Sequence, residues 1–311
     1  MSSPAEQSKP KLIKHGNMET EKDVLSSLVS GACAGALAKT VIAPLDRTKI
    51  MFQVSKTEFS YKTAANIMYK GYKKNGFLSW WRGNSATMAR VIPYAAIQFT
   101  THEQMKLYLA GGKKVPLPPE KRFLAGSIAG LVACTFTYPL DLVRARLAIA
   151  QKLKYKSLRH AFRTIYKEEG FMRFYNGYIP TVLGIMPYAG TSFFIYETLK
   201  QKYHKENPTA ELTFYHRFGY GAVAGVCGQS FSYPLDIVRR RMQTDGLDGK
   251  GYKYKKLVGT LRYIFLSEGF IKGLYKGLSI NWIKGPIAVG VSFATFDKVQ
   301  MLFHRMPDYI T

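Results

Sequence analysis

A chain of 311 residues is long enough for two soluble domains or for one membrane domain. Its formal net charge of +25 indicates an anionic partner. Because no basic helix or nucleic-acid-binding motif accompanies that charge, we expect an anionic solute and an anionic lipid surface rather than nucleic acid. The cysteines, Cys33, Cys134 and Cys227, have no CxxC spacing, and the six histidines are scattered. We therefore expect no disulfide framework, no metal site, no cofactor and no enzyme.

The chain begins with a polar segment, residues 1–22, which we expect to be disordered and which is too short for calcium-binding EF-hands. Several apolar stretches follow, each close to the ~20 residues that cross a bilayer. Four of them are 24–45, 123–140, 179–196 and 280–296. Because long basic connections separate these spans, the slightly negative mean hydropathy of −0.12 does not argue against a membrane protein.

One sequence unit occurs three times and defines the organisation of the chain. Its core, Pro-Leu-Asp, begins at residues 44, 139 and 234, an equal spacing of 95 residues. A base three residues after each acid shares its helix face. The acids are Asp46, Asp141 and Asp236, and the bases are Lys49, Arg144 and Arg239. One copy alone would indicate an ordinary kinked helix, but three copies in register indicate three helices whose charges pair with one another.

Each unit also contains glycines at regular positions. A small-xxx-small pair precedes each Pro-Leu-Asp and, inside an apolar segment, predicts close approach of two helices. The pairs are Gly31/Gly35, Gly126/Gly130 and Gly221/Gly225. A short amphipathic helix that stops at another glycine is predicted after each kink. These helices are expected to start at Tyr61, Tyr155 and Tyr254 and to stop at Gly76, Gly170 and Gly269.

A second long helix opens after an aromatic residue and a glycine in each unit. The three openings are Trp81-Arg82-Gly83, Tyr175-Asn176-Gly177 and Tyr275-Lys276-Gly277. An aromatic ring at headgroup depth beside free backbone N–H groups predicts a lipid-phosphate site, although simple helix capping explains the pattern equally well. These second long helices are the even-numbered ones if the two spans of each unit are counted in chain order, and they end in a second polar motif. Its members are Glu103 with Lys106, Glu197 with Lys200, and Asp297 with Gln300.

The motifs P-x-[DE]-x-x-[KR] and [FY]-[DE]-x-x-[KR], each in three copies, resemble those of the mitochondrial carrier family over residues 24–300. Gln300 and Asn176 depart from the basic residues of the family pattern. The resemblance implies an all-α membrane protein with six transmembrane helices in three pseudo-threefold repeats, each with a short matrix-side amphipathic helix. We expect the repeats at 23–113, 114–208 and 209–303, and a tail at 304–311.

The resemblance also implies a location and a lipid partner. We expect a monomer in the mitochondrial inner membrane, with both termini facing the intermembrane space. Cardiolipin is the lipid expected at the starts of the even-numbered helices. These expectations come from the family and not from composition or spacing.

Pseudosymmetry predicts two charged rings, one on each side of a central cavity, that open and close in turn. Each acid is expected to pair with the base of another unit. The matrix pairs are Asp46–Arg144, Asp141–Arg239 and Asp236–Lys49; the cytoplasmic pairs are Glu103–Lys200, Glu197–Gln300 and Asp297–Lys106. Gln53 and Gln243 resemble the family's bracing glutamines. A static ring that only holds the units together is the alternative interpretation.

Positions where the units differ are candidates for binding an asymmetric substrate. Thirteen residues before the acids of the even-numbered helices lie Arg90, Gly184 and Lys284. Bases at mid-membrane depth predict phosphate binding, and a glycine lets a flat ring approach the backbone. The resemblance implies adenine contacts at Gly184, Ile185 and Tyr188 and a cavity-lining base at Lys39. A role in helix packing alone is the alternative for the glycine.

Longer stretches resemble the coenzyme A carriers of this family. They include 39–40, 43–49, 81–88, 277–279 and 284–286. This resemblance implies an antiporter that exchanges coenzyme A, or a close derivative, for adenine nucleotides. Two alternatives stay open: an ATP-Mg/phosphate or other adenine nucleotide carrier without a calcium-regulatory domain, and a basic membrane scaffold that transports nothing.

Overall fold

The structure is a computed structural model that describes residues 16–55, 57–112, 117–150, 154–207, 212–247 and 251–305. These described residues form helices and connections, with no strand among them. In chain order the helices are α1 (Gly16–Val54), α2 (Tyr61–Asn75), α3 (Asn84–Leu109), α4 (Pro119–Ile149), α5 (Leu158–Glu169), α6 (Tyr178–Glu206), α7 (Phe214–Gln243), α8 (Leu257–Glu268), α9 (Phe270–Leu274) and α10 (Leu278–Arg305). Short 3-10 turns, Phe77–Trp81 and Phe171–Tyr175, precede α3 and α6.

Six of the described helices are long enough to cross a membrane. The shortest of them, α3, has 26 residues, which span about 39 Å. By length and hydropathy together, two stretches of the described chain qualify as spans, Glu120–Ile149 and Phe171–Glu206. Every long helix nevertheless exposes large apolar side chains, such as Ile92 of α3, Phe136 of α4 and Phe231 of α7. Lipid covers such a surface, whereas water would leave it unstable.

The long helices form a ring in which each repeat packs on the next. α3 lies along α4, α6 along α7 and α10 along α1, so each of these pairs joins two repeats. α1, α4 and α7 also contact one another through ion pairs at Asp46, Asp141 and Asp236. We call this end of the bundle the closed end. The opposite end, where the second long helix of each repeat (α3, α6 and α10) finishes, is the open end. The predicted fold class is confirmed.

The short helices follow the sequence prediction at their ends but not at all of their starts. The glycines after α2, α5 and α8 have φ values of 79–83°, in the left-handed region that favours glycine. The starts predicted at Tyr155 and Tyr254 are wrong, because α5 and α8 each begin three residues later. In α5, the Ser157 hydroxyl accepts a hydrogen bond from the His160 N–H and caps the helix there.

The close helix approach predicted at the paired glycines is wrong for this structure. A Cβ built on any of the six would meet no neighbouring atom within 4 Å. Gly126 and Gly130 line a cavity instead. A close approach is found at Gly228 of α7, where a Cβ would lie 2.8 Å from the Tyr188 carbonyl oxygen of α6.

The buried core lies at the closed end. One apolar cluster joins Tyr138 and Leu142 of α4 to Ile165 of α5. A second joins Tyr233 of α7 to Ile264 of α8. Apolar burial therefore fixes the short helices against the segments that follow the prolines, and these segments carry the charged residues described next.

Candidate functional site

Three ion pairs between repeats form a ring at the closed end. Arg144 Nη2 lies 2.5 Å from Asp46 Oδ2, Arg239 Nη2 2.5 Å from Asp141 Oδ2, and Lys49 Nζ 2.7 Å from Asp236 Oδ2. We call these six residues the closed ring. The structure thus brings together the residues that the sequence predicted for the matrix side, in the predicted pairs.

A glutamine and a tyrosine brace one side of the closed ring. Gln243 Nε2 donates to Asp141 Oδ2 at 2.9 Å and to the Tyr138 hydroxyl at 3.0 Å. The Tyr138 hydroxyl in turn donates to the Asn176 carbonyl at 2.8 Å. These hydrogen bonds satisfy groups whose burial would otherwise destabilise the ring.

A second brace has the same form, and the third side has none. Gln53 Nε2 donates to Asp236 Oδ2 at 3.1 Å and to the Tyr233 hydroxyl at 3.3 Å. Ala148 stands at the equivalent position beside Asp46. Because alanine has no amide, the pair between the first and second repeats lacks this brace. The sequence pattern predicted the glutamines but not the tyrosines, which directly precede two of the three prolines.

Arginine–carbonyl contacts reinforce each boundary between repeats. In each, an arginine Nε donates to the carbonyl of the residue nine positions after the proline of another repeat. The contacts are Arg241 to Gln53 at 3.0 Å, Arg47 to Ala148 at 2.9 Å and Arg146 to Gln243 at 2.9 Å. These arginines were not predicted from the sequence. Two of them lie seven residues after a proline, but Arg47 lies three after Pro44, so the repeat alone would not have revealed it.

Two of these arginines, Arg241 and Arg146, also anchor the short helices α8 and α5. Arg241 Nη1 and Nη2 donate to the Glu268 carboxylate at 2.6 and 2.7 Å, and Lys276 donates to it at 2.7 Å. Arg146 and Glu169 form the corresponding bidentate pair. Burial alone would raise the pKa of Glu268, but the hydrogen bonds from Arg241 and Lys276 outweigh burial and hold the pKa below its usual value.

A cavity of about 500 Å³ lies above the closed ring, a volume within the range of small-molecule sites. Most of the predicted substrate residues line it. They are Arg90, Gly184, Ile185, Tyr188 and Lys284. The described lining does not include Lys39, which instead lines a separate small cleft beside Asp46 and Arg144.

The two bases predicted at mid-membrane depth, Arg90 and Lys284, are paired with acids of the closed ring. Arg90 Nη1 lies 3.0 Å from Asp141 Oδ1, and Lys284 Nζ lies 2.8 Å from Asp46 Oδ1. The acids of their own helices, Glu103 and Asp297, lie thirteen residues further along the chain. The partners of the two bases therefore come from chain positions 51 and 238 residues away. Each acid thus holds a closed-ring base on one oxygen and a cavity base on the other.

The floor of the cavity carries more positive than negative charge. Six cations form ion pairs with only three carboxylates in this part of the described chain. They are Lys49, Arg90, Arg144, Arg239, Arg240 and Lys284. Because a low-dielectric wall strengthens the field of such an excess, the floor favours an anionic ligand.

The wall at Gly184 differs from the two basic walls. A Cβ at this position would lie 3.7 Å from Leu235 Cβ, an ordinary van der Waals contact, so a methyl group fits there. Ile185 and Tyr188 are 46% and 42% exposed. This side of the cavity therefore presents backbone, an aliphatic side chain and an aromatic ring, a surface suited to a flat apolar group.

The residues predicted for the cytoplasmic ring are not paired between repeats in this structure. Lys106 Nζ lies 2.8 Å from Glu103 Oε1, and Lys200 Nζ lies 3.8 Å from Glu197 Oε1, both within one helix. The predicted pairs Glu103–Lys200, Glu197–Gln300 and Asp297–Lys106 do not occur among the described ion pairs and hydrogen bonds. The bundle is therefore closed at one end and open at the other.

The side chains predicted to contact lipid make packing contacts. Trp81 Nε1 donates to the Thr40 carbonyl at 2.8 Å, and Arg82 Nη2 donates to the Tyr155 carbonyl at 2.8 Å. Lys276, 4% exposed, donates to the Ser55 carbonyl as well as to the carboxylate described above. Tyr175 and Tyr275 each stack on the tyrosine before a proline.

The backbone conformation before α3, α6 and α10 favours glycine. Gly83, Gly177 and Gly277 have φ values of 93, 80 and 77°. A Cβ at Gly177 would lie 2.9 Å from the Arg239 carbonyl oxygen of the next repeat. Because the N-cap residues Gly83 and Gly177 have no side chain, neither caps the N–H groups at the start of its helix, α3 or α6.

The model of the family described as mitochondrial carrier protein matches residues 20–113, 115–207 and 210–307. The chain belongs to the mitochondrial carrier family. Proteins named mitochondrial coenzyme A transporter SLC25A42 are similar to this carrier. Those of Xenopus laevis and Homo sapiens are 54% and 55% identical to it, over 95% and 92% of this chain and 90% of each relative.

A further relative, solute carrier family 25 member 16 of Mus musculus, is 37% identical over 95% of this chain and 94% of its own length. Family membership makes this carrier a transporter of small molecules in a mitochondrial membrane and not an enzyme. The three matched segments correspond to α1–α3, α4–α6 and α7–α10.

Proposed function

We propose that this carrier exchanges coenzyme A, or a close derivative, for adenine nucleotides across the mitochondrial inner membrane. The observation that carries the proposal is the cavity, where bases on two walls face an aromatic and glycine wall on the third. The names of the relatives support coenzyme A as one substrate.

The two kinds of wall match the two kinds of group in the substrate. Coenzyme A has a diphosphate, a ribose phosphate and an adenine ring, and carries about four negative charges. Arg90 and Lys284 are placed to bind phosphate groups. Gly184 and Ile185 let the adenine ring approach α6, and Tyr188 is placed to stack on it.

Alternating access is the transport mechanism that the two ends of the bundle support. The closed ring is the matrix gate. The residues at the open end, which are not paired between repeats, form the cytoplasmic gate once α3, α6 and α10 converge. The structure then corresponds to the state that is open to the intermembrane space. Partly buried ion pairs suit a gate, because desolvation offsets much of their attraction and lets them open.

Substrate binding loosens the matrix gate by competing with two of its acids for the cavity bases. Arg90 and Lys284 currently bind Asp141 and Asp46. Phosphate groups that take over these bases leave each of the two carboxylates with less compensation. The closed state is thereby destabilised relative to the state open to the matrix, which is the differential affinity that a substrate-driven switch requires.

Lipid and topology belong to the same proposal. We infer that cardiolipin phosphate binds the backbone N–H groups at the starts of α3, α6 and α10. We also infer that the carrier works as a monomer and that both termini face the intermembrane space. The packing contacts of Trp81, Arg82 and Lys276 hold the backbone there.

Exchange by purified protein in liposomes tests the substrate. Arg90→Ala and Lys284→Ala should each nearly abolish coenzyme A exchange while the protein remains folded. Gly184→Leu should weaken adenine-containing substrates, whereas Gly184→Ala, whose methyl group fits, should behave like the wild type.

Competition assigns the substrate among the alternatives. Unlabelled coenzyme A should inhibit uptake more strongly than ATP-Mg. Stronger inhibition by ATP-Mg would make the protein an adenine nucleotide carrier, and an absence of any counterflow would make it a scaffold. Normal transport by Arg90→Ala would place the binding site elsewhere.

A further inference from the structure

Arg240 is a base at a position where the other repeats are apolar. It lies six residues after Pro234, and the equivalent residues are Ile50 and Ala145. Both are buried among apolar groups, at 3% and 0% exposure. A threefold-symmetric gate has no use for one additional arginine, so the difference points to an asymmetric ligand.

The arginine is buried and incompletely compensated. It is 9% exposed and lines the floor of the cavity. Its Nη1 donates to the neutral Gln243 Oε1 at 2.8 Å, while Asp141 Oδ2 lies 3.6 Å away and is already bound by Arg239. Its Nε has no hydrogen-bond partner among the described residues. A buried guanidinium with a free donor is costly unless an anion completes its bonding.

Its place on α7 indicates which anion. A Cβ on Gly184 of α6 would contact Leu235 of α7, so the two helices meet at the proposed adenine wall. Arg240 follows Leu235 by five residues, a rise of about 7.5 Å toward the closed end. The ribose phosphate and the diphosphate are attached to different positions of the sugar that bears the adenine. With the diphosphate on Arg90 of α3 and Lys284 of α10, as proposed above, the ribose phosphate is left to a base on another wall, and Arg240 of α7 lines the cavity there.

We propose that Arg240 binds the ribose phosphate of the substrate. It thereby selects adenine compounds that carry this additional phosphate on the ribose over those that lack it. The inference rests on the proposed function and assigns a specificity residue within the same cavity. Arg90 and Lys284 then serve mainly the diphosphate.

The test compares coenzyme A with 3′-dephospho-coenzyme A, which differ only in this phosphate. Arg240→Gln removes the charge but keeps an amide that donates to Gln243. We expect it to raise the half-saturation concentration for coenzyme A at least about tenfold, the effect of losing one charge-assisted hydrogen bond. That for the dephospho form should change less than about threefold. Arg240→Lys, which keeps the charge, should retain part of the preference.

The control is Arg262→Gln on the exposed side of α8, which also removes one positive charge; its preference should equal that of the wild type. Equal weakening of both substrates by Arg240→Gln, or no change in either, would overturn the inference and give Arg240 a bracing role only. Thermal stabilisation by each ligand in detergent supplies the same comparison if exchange by the variant is too slow. Failure of wild-type protein to exchange either compound would instead overturn the proposed function.

Discussion

Reversing the charges of Lys49 and Asp236 tests whether pairs between repeats hold the closed ring. Removing one partner leaves an uncompensated, partly buried charge, so Lys49→Asp and Asp236→Lys should each destabilise the closed state by roughly 3–5 kcal/mol. The double variant should recover most of that loss. Lys49 is the one cation within 4 Å of Asp236 in the described part of the chain. The side chains hydrogen-bonded to this pair, Asn281 and Gln53, are amides, which can turn to accept from a cation or donate to a carboxylate. Arg239 and Arg240 lie farther from position 236, so their charge reduces the recovery without abolishing it.

The same reversal at Asp141 and Arg239 should fail. An arginine at position 141 would face Arg90 and Arg240, which lie 3.0 and 3.6 Å from the present carboxylate. Each like-charge contact near 4 Å costs about 4 kcal/mol at an effective dielectric constant of about 20. Two such contacts exceed the roughly 3–5 kcal/mol that a re-formed pair recovers.

Melting temperature in detergent and the exchange rate in liposomes measure both reversals. The double variant at positions 49 and 236 should melt above either of its single variants, and the double variant at 141 and 239 should not. If both reversals rescue equally, the additional cations around Asp141 do not act as the structure implies. If neither rescues, the ring is not held by these pairs.

Three further predictions concern other parts of the carrier. Gln300→Lys should complete the cytoplasmic ring and slow exchange in liposomes, and an unchanged rate would remove this residue from the gate. Gly177→Ala should lower the melting temperature more than Gly277→Ala: both force a side chain to a φ near 80°, at about 1–2 kcal/mol, but only the first also places a Cβ 2.9 Å from the Arg239 carbonyl oxygen. Because the pKa of Glu268 is lowered in the folded state, its contribution to stability is present above its unfolded pKa of about 4.3 and is lost as the pH falls through the lower, folded value. Glu268→Gln should therefore make thermal stability less sensitive to acid in that range, and an unchanged pH profile would contradict this assignment.

Some of the site follows from the repeat. Three copies at two equal intervals indicate three equivalent positions around one axis, and an acid and a base on one helix face then meet the base and acid of the neighbouring repeats. This symmetry is why Asp46 could be matched to Arg144 from sequence alone. Where a repeat departs from the pattern, the same reasoning fails: nothing in the sequence indicated that Arg47 takes the place of the arginines found seven residues after the other prolines.

The sequence by itself determined the three repeats, the long helices and the asymmetric positions Arg90, Gly184 and Lys284, because periodicity and interruption of periodicity are properties of the chain. Tertiary structure decided which end is closed. A Cβ on any of the paired glycines would therefore meet no neighbouring atom within 4 Å, and the described ion pairs of the residues predicted for the cytoplasmic ring lie within single helices. It also decided the partners of the cavity bases, since the acids that hold them belong to other helices. Ion pairs act over a few ångströms in space, and only the packing of α1, α4 and α7 brings those distant positions together.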